Sequence, residues 1–152
     1  MTPGKLNHRV LADRIHRIDR MLEEIGGLPL DNYERFIADS RNIWTAESCL
    51  RRSLEALLDL GRHILARGLG KGVTEYKEIA RTLHKENVLD AGQASKLEML
   101  AGYRNRMVHF YHEIGTEDLF NICVNGLSDI RDLREAFLSW TELHSDSIDK
   151  SM

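Results

Sequence analysis

The chain has 152 residues, 42% of them hydrophobic and 30% charged, with a formal net charge of -3. That is ordinary for one globular domain, and a domain of this length buries about 68 to 70% of the surface its unfolded chain exposes, so no disulfide or structural metal is required. The acidic balance excludes bulk nucleic-acid binding and leaves room only for a locally basic site. Residues 1–9 lack the apolar run of a secretory signal, and nowhere do roughly 18 uninterrupted apolar residues occur, so a cytoplasmic protein without a membrane span is expected.

With only Pro3 and Pro29, and no extended apolar/polar alternation, the sequence reads as helix throughout. Leu11, Ile15, Ile18, Leu22 and Ile25 recur at steps of four and three, predicting a first helix that stops at Gly26-Gly27 and Pro29. Asp31 and Glu34 resemble a capping box. They open a long central element whose stripe runs through Tyr33, Phe36, Ile37, Ile43, Trp44, Leu50, Leu54, Leu57, Leu58, Ile64 and Leu65. Asp39-Ser40 offers a break or second N-cap within it, and Gly68-Leu69-Gly70-Lys71-Gly72 ends it. That glycine run lacks both the Walker spacing and a preceding strand, so it reads as a helix-terminating loop.

Thr74 is expected to cap a short third helix bearing Tyr76, Ile79, Ala80 and Leu83. Asp90 with Gln93 caps a fourth, carrying Ala94, Leu97, Leu100, Ala101, Met107 and Val108. Thr116, with Glu117 and Asp118 in the first turn, opens a fifth whose buried face is Leu119, Ile122, Cys123, Leu127, Ile130, Leu133 and Phe137. The expected architecture is all-α: an up-and-down bundle of four main helices plus a short extra one, forming a single domain over residues 1–144, with 145–152 a tail without structure. Cys49 and Cys123 are expected as reduced core residues.

The chemistry concentrates in Arg104-Asn105-Arg106-Met107-Val108-His109-Phe110-Tyr111. Leu100, Ala101, Met107 and Val108, three and four residues either side of Arg104, are all apolar, so its guanidinium emerges from a hydrophobic face. Such a charge must be paired with an acid, bound to an anion, or directed into a cleft that admits water. The bland reading makes Arg104, Arg106 and His109 helix-end cations, with Arg104 bridged to Asp59 or Glu55 and Tyr111 a packing residue. On an ideal helix Tyr111 shares the face of Arg104, whereas His109 points roughly 140° away. Either the helix loosens near Val108 or a second subunit completes the site, and the mismatch points to a composite site between two copies. His109, His112 and Glu113 form a cluster with neither zincin spacing nor a third ligand, so no metal site is expected.

The spacing of Arg104, His109 and Tyr111 matches the R-X4-H-X-Y signature of the HepT toxins, a branch of the HEPN helical ribonuclease superfamily. The run Ser53-Leu54-Glu55-Ala56-Leu57-Leu58-Asp59-Leu60-Gly61-Arg62-His63-Ile64 resembles that family's central helix. The resemblance covers most of the chain from Leu11 to Phe137. It implies a HEPN-like fold and a homodimer whose two motifs line one cleft, in a type VII toxin–antitoxin system. The implied activity is metal-independent RNA cleavage, with His109 transferring protons, Arg104 holding the scissile phosphate and Asn105 orienting the site. It further implies a cognate, MntA-like nucleotidyltransferase antitoxin that uses ATP and Mg2+ to adenylylate Tyr111, while this chain itself takes no cofactor. The reading from a different class is a non-catalytic HEPN subunit that binds and regulates a nucleotidyltransferase.

Overall fold

The computed structural model describes residues 5–109 and 114–144, together with 148–149, of which, as of His109, only the backbone is described. In chain order the elements are β1 (Leu6–Asn7), α1 (His8–Gly26), α2 (Tyr33–Ala38), α3 (Ser40–His63), α4 (Tyr76–Lys85), α5 (Ala91–His109), α6 (Thr116–Asn125), α7 (Leu127–Leu143) and β2 (Ile148–Asp149). The fold is all-α, with α1, α3, α5 and α7 as its long helices. None of the helices among the described residues is long and apolar enough to cross a membrane.

The spine is α3, which touches each of the other six helices, with α1 laid along it as the most extensive pairing and α4 packed on α5. Leu50, Leu54, Leu57, Leu58, Ile64 and Leu65 are completely buried on this spine, as their spacing predicts. Beyond His63 the helix widens into one π-helical turn, Ile64–Gly68. Its end is tied off by the amides of Leu69 and Lys71, both donating to the Leu65 carbonyl at 3.2 and 2.8 Å. In α1, Leu11, Ile18, Leu22 and Ile25 are buried and the helix stops at Gly26. Asp90 and Gln93 form a reciprocal capping box: the Gln93 amide donates to Asp90 Oδ1 at 2.8 Å, and the Asp90 amide to Gln93 Oε1 at 3.0 Å.

The break offered at Asp39-Ser40 is present, since the extended backbone of Asp39 and the bond its side chain accepts from the Arg41 amide start α3 afresh. Elsewhere the structure departs from the expected elements. The expected fifth helix is two, α6 ending at Asn125 and α7 starting at Leu127 with Gly126 as their shared cap, where a Cβ would lie 2.8 Å from the Ile122 carbonyl oxygen. The cap of α2 is Asn32, not Asp31, its side chain accepting from the Arg35 amide. Trp44 and Ile37, placed in the apolar stripe by periodicity, are 67% and 41% exposed, although Phe36 and Ala46 near them are completely buried. Within the terminal segment expected to lack structure, Ile148–Asp149 pairs in parallel with Leu6–Asn7.

That pairing is anchored by His63, whose Nε2 accepts the Asn7 amide at 3.0 Å. Burial, reinforced by the charges of Arg67 and Arg14, holds this imidazole below its ordinary pKa of 6.5. The unfolded chain therefore takes up the proton first. The contribution to stability is complete above the ordinary value and is lost as the pH falls from there through the folded value. Between about pH 7.5 and about pH 5.5 the melting temperature should fall more for the wild type than for His63→Gln, which retains an acceptor but cannot be charged. Equal losses in a thermal melt would remove His63 from the acid response.

Candidate functional site

The Arg104 side chain leaves α5 toward the start of α4 and lines a cleft of about 620 Å³. Arg62 of α3, Thr74 to Lys77 at the head of α4, and Gly102, Asn105 and Arg106 of α5 complete the lining. Four of these residues are cationic and one, Glu75, is a carboxylate. The cleft is thus locally basic on a chain of net charge -3.

Arg104 is only 17% exposed, and three groups surround it. Its Nη2 lies 3.7 Å from Glu55 Oε2 on α3, its guanidinium sits 4.7 Å from the centre of the Tyr76 ring on α4, and Nη1 makes a long 3.4 Å bond to Asn105 Oδ1. Both the acid pairing and the opening into a cleft are therefore present, and Glu55, not Asp59, is the partner. The pairing is incomplete: Glu55 commits its other oxygen to Arg51 at 2.8 Å, and Arg104 Nε is buried without a hydrogen-bond acceptor. A buried donor left in that state costs about 1 to 3 kcal/mol.

Tyr76 gathers the arginines. Arg62, itself bridged to Asp59, stands 5.5 Å from the same ring, so one phenol attracts two guanidinium groups through its face. Burial, and next the Asp59 charge, push the Tyr76 hydroxyl above its ordinary value, outweighing the opposite pull of Arg104 and Arg62. At neutral pH it stays a neutral phenol and adds no negative charge to the cleft.

The head of α4 departs from expectation. Thr74 does not cap it; Glu75 holds the N-cap position without a side-chain bond to the first-turn amides. The positive end of the α4 dipole is thus uncapped where the helix meets the cleft.

Of the motif residues, the structure brings Arg104 and Asn105 together in the cleft. α5 runs on through His109, so no loosening at Val108 occurs, and at 100° per residue the backbone positions of Arg104 and His109 stand about 140° apart around the axis. Tyr111, with Phe110, His112 and Glu113, lies outside the described residues. Sequence reasoning passed over Arg62, Lys77 and Gly102 as site residues. The one available signal was a glycine inside a helix, which costs about 1 kcal/mol relative to alanine and marks a close approach. Both cysteines are free; Cys123 is buried on α6 and burial pushes its thiol up to about 12, so it is chemically inert at neutral pH.

The class that fold and site define is an all-α helical bundle presenting a partly unpaired arginine in a basic cleft. Comparison with known proteins makes this particular. The family model described as ribonuclease HepT-like matches residues 12–137, and the chain belongs to that family. No curated protein sequence matches it significantly.

Solved structures reproduce the fold at low identity. A tri-AMPylated Shewanella oneidensis HEPN toxin in complex with MNT antitoxin is 19% identical with a TM-score of 0.77, over 86% of this chain and 97% of that one. A toxin–antitoxin with AMP-PNP is 20% identical with a TM-score of 0.75, over 84% of this chain and 97% of that one. YutE from Bacillus subtilis, a cytosolic protein of unknown function, is 15% identical with a TM-score of 0.76, covering 92% of this chain and 94% of that one.

Proposed function

We propose that this chain is a cytoplasmic toxin ribonuclease that cleaves RNA without a metal, in a cleft completed by a second copy of itself. The observation that carries the reading is Arg104, held in a basic cleft with its Nε buried and unbonded. In the reaction, the ribose 2'-oxygen loses its proton and bonds to the adjacent phosphorus. The bond from phosphorus to the 5'-oxygen breaks, and that oxygen takes up a proton, leaving a cyclic phosphate end. His109 moves protons, a role worth about 10² to 10⁴ in rate, and its ordinary pKa near 6.5 suits it to either direction. Arg104 neutralises the charge that grows on the phosphate oxygens, and Asn105 beside it orients the site. No group other than these side chains is required of the chain.

Two copies are part of this proposal because one straight α5 separates the Arg104 and His109 positions, so a partner's motif is the simpler source of the second group. Residues 1–144 form the working domain. Regulation follows the family: a nucleotidyltransferase antitoxin, using ATP and Mg2+, adenylylates Tyr111. The attached phosphodiester and purine then occupy the place of the RNA. Support for a partner of this kind comes from the fold neighbours, two of which are described as toxin–antitoxin complexes. The loose Arg104 to Glu55 pair also suits a second reading, a non-catalytic subunit that regulates a nucleotidyltransferase.

Growth separates the two readings. Expression of the chain alone should arrest growth and degrade RNA, and His109→Ala should relieve both; equal arrest by the two proteins would overturn ribonuclease action. With the antitoxin and ATP, intact mass should rise by whole adenylate units in the wild type and not in Tyr111→Phe. A shift that persists in that variant places the modification elsewhere.

A further inference from the structure

The cleft has two unlike halves. Around Tyr76 its arginines are partnered, Arg62 by Asp59 and Arg104 by Glu55. Around Gly102 the cations are not: Lys77 and Arg106 make no ion pair among the described residues, and Arg106 stands over the Tyr103 ring at 5.6 Å, between this cleft and a smaller one that it lines with Asp118. Gly102 explains how Lys77 comes to be there. A Cβ at position 102 would lie 3.3 Å from Lys77 Cε and 3.7 Å from its Nζ, so the lysine stem is laid across α5 where the helix has no side chain. Glycine in the middle of a helix costs about 0.8 to 1.0 kcal/mol against alanine, and here what it makes room for is the last methylene of the lysine stem.

Arg106 is one turn beyond Gly102 on the same side of α5, and position 109 follows at the next step of that face. Two unpaired cations so placed repel each other unless an anion lies between them.

We propose that Lys77 and Arg106 form a second phosphate subsite, holding the backbone phosphate next to the one engaged by Arg104. The cleft then takes at least two consecutive phosphates of a single-stranded RNA. This rests on the reading of the cleft as an RNA site. Arg104, with its planar fork, a buried Nε and an aromatic face behind it, suits the reacting phosphate. Lys77, a flexible point charge, suits one that is only held. The strand thereby gains a direction across α5, from the Tyr76 half toward Gly102.

The test uses full-length protein and two non-cleavable 2'-O-methyl RNA probes, a dinucleotide with one phosphodiester and a hexanucleotide. For Lys77→Gln and Arg106→Gln, hexanucleotide binding should weaken severalfold. The slope of log affinity against log salt should become shallower by about 0.7 for each phosphate that is no longer neutralised. Dinucleotide binding should not change.

Gly102→Ala should have a smaller effect in the same direction on the hexanucleotide while its melting temperature holds or rises, because the added methyl shifts the lysine end by a few tenths of an ångström and favours the helix. Unchanged salt slopes, or equal losses with both probes, would overturn the subsite. If the wild type binds both probes and Arg104→Ala abolishes that binding, the RNA reading stands and a null result at Lys77 removes only this proposal. If the wild type binds neither probe, both readings fall.

Discussion

Arg104→Ala should lower RNA cleavage by about 10² to 10³, the usual cost of removing one donor aimed at transition-state charge, while the protein remains folded. The two halves of this expectation come from the same geometry. Arg104 is held by a long 3.7 Å ion pair, and its partner Glu55 keeps the 2.8 Å bond to Arg51 when Arg104 is gone, so no carboxylate is left buried and alone. The mutation also deletes a buried donor that has no acceptor, which is favourable in itself.

Arg104→Lys should not restore activity. A lysine keeps the charge but loses the planar fork, the Nε and the stacking against Tyr76. Single-turnover cleavage beside a thermal melt checks the pair. A large fall in melting temperature, or cleavage within a fewfold of wild type, would show that Arg104 is a structural bridge.

The second large effect lies at the crossing of α3, α4 and α7. Phe137 is completely buried, and its Cζ stands 3.2 Å from where a Gly61 Cβ would be, with Leu83 Cδ1 at 2.9 Å and Ile79 Cγ2 at 3.3 Å from the same point. Phe137→Ala should cost about 3 to 5 kcal/mol, from lost burial and the cavity left behind. Gly61→Ala should cost about 1 to 3 kcal/mol by overpacking, moderated by the better helix propensity of alanine. Because the two act on the same space, the double variant should be more stable than the sum of the single losses predicts. Urea unfolding measures all three proteins. Strict additivity would mean that the ring and the glycine do not meet.

The helical seams were legible because they are local. The four-and-three spacing of Leu11, Ile18, Leu22 and Ile25 names their buried face, and Asp90 and Gln93 announce their own capping box. The break at Gly126 was not legible, because Cys123, Leu127 and Ile130 keep the apolar step through the gap. Gly126 marks it, at a backbone position where a side chain would meet the Ile122 carbonyl. Arg104 and Asn105 could be singled out from one helix and the resemblance. Tyr76, Arg62 and Lys77 could not, since their places depend on how α4 lies against α5 and on the Gly102 gap between them. Trp44 misled for the same reason: periodicity gives a face, and packing decides whether anything covers it.

Glu55, Tyr76 and the Arg104 backbone belong to three different helices, and each fixes part of one side chain. The rotamer freedom of that arginine is consequently lost when the bundle folds, before any ligand arrives. An anion entering the cleft is spared the ordering cost of about 0.5 to 1.5 kcal/mol that a free arginine would impose, and meets a donor already set in place. Its binding should therefore be governed by desolvation and charge, with little entropic penalty from the protein.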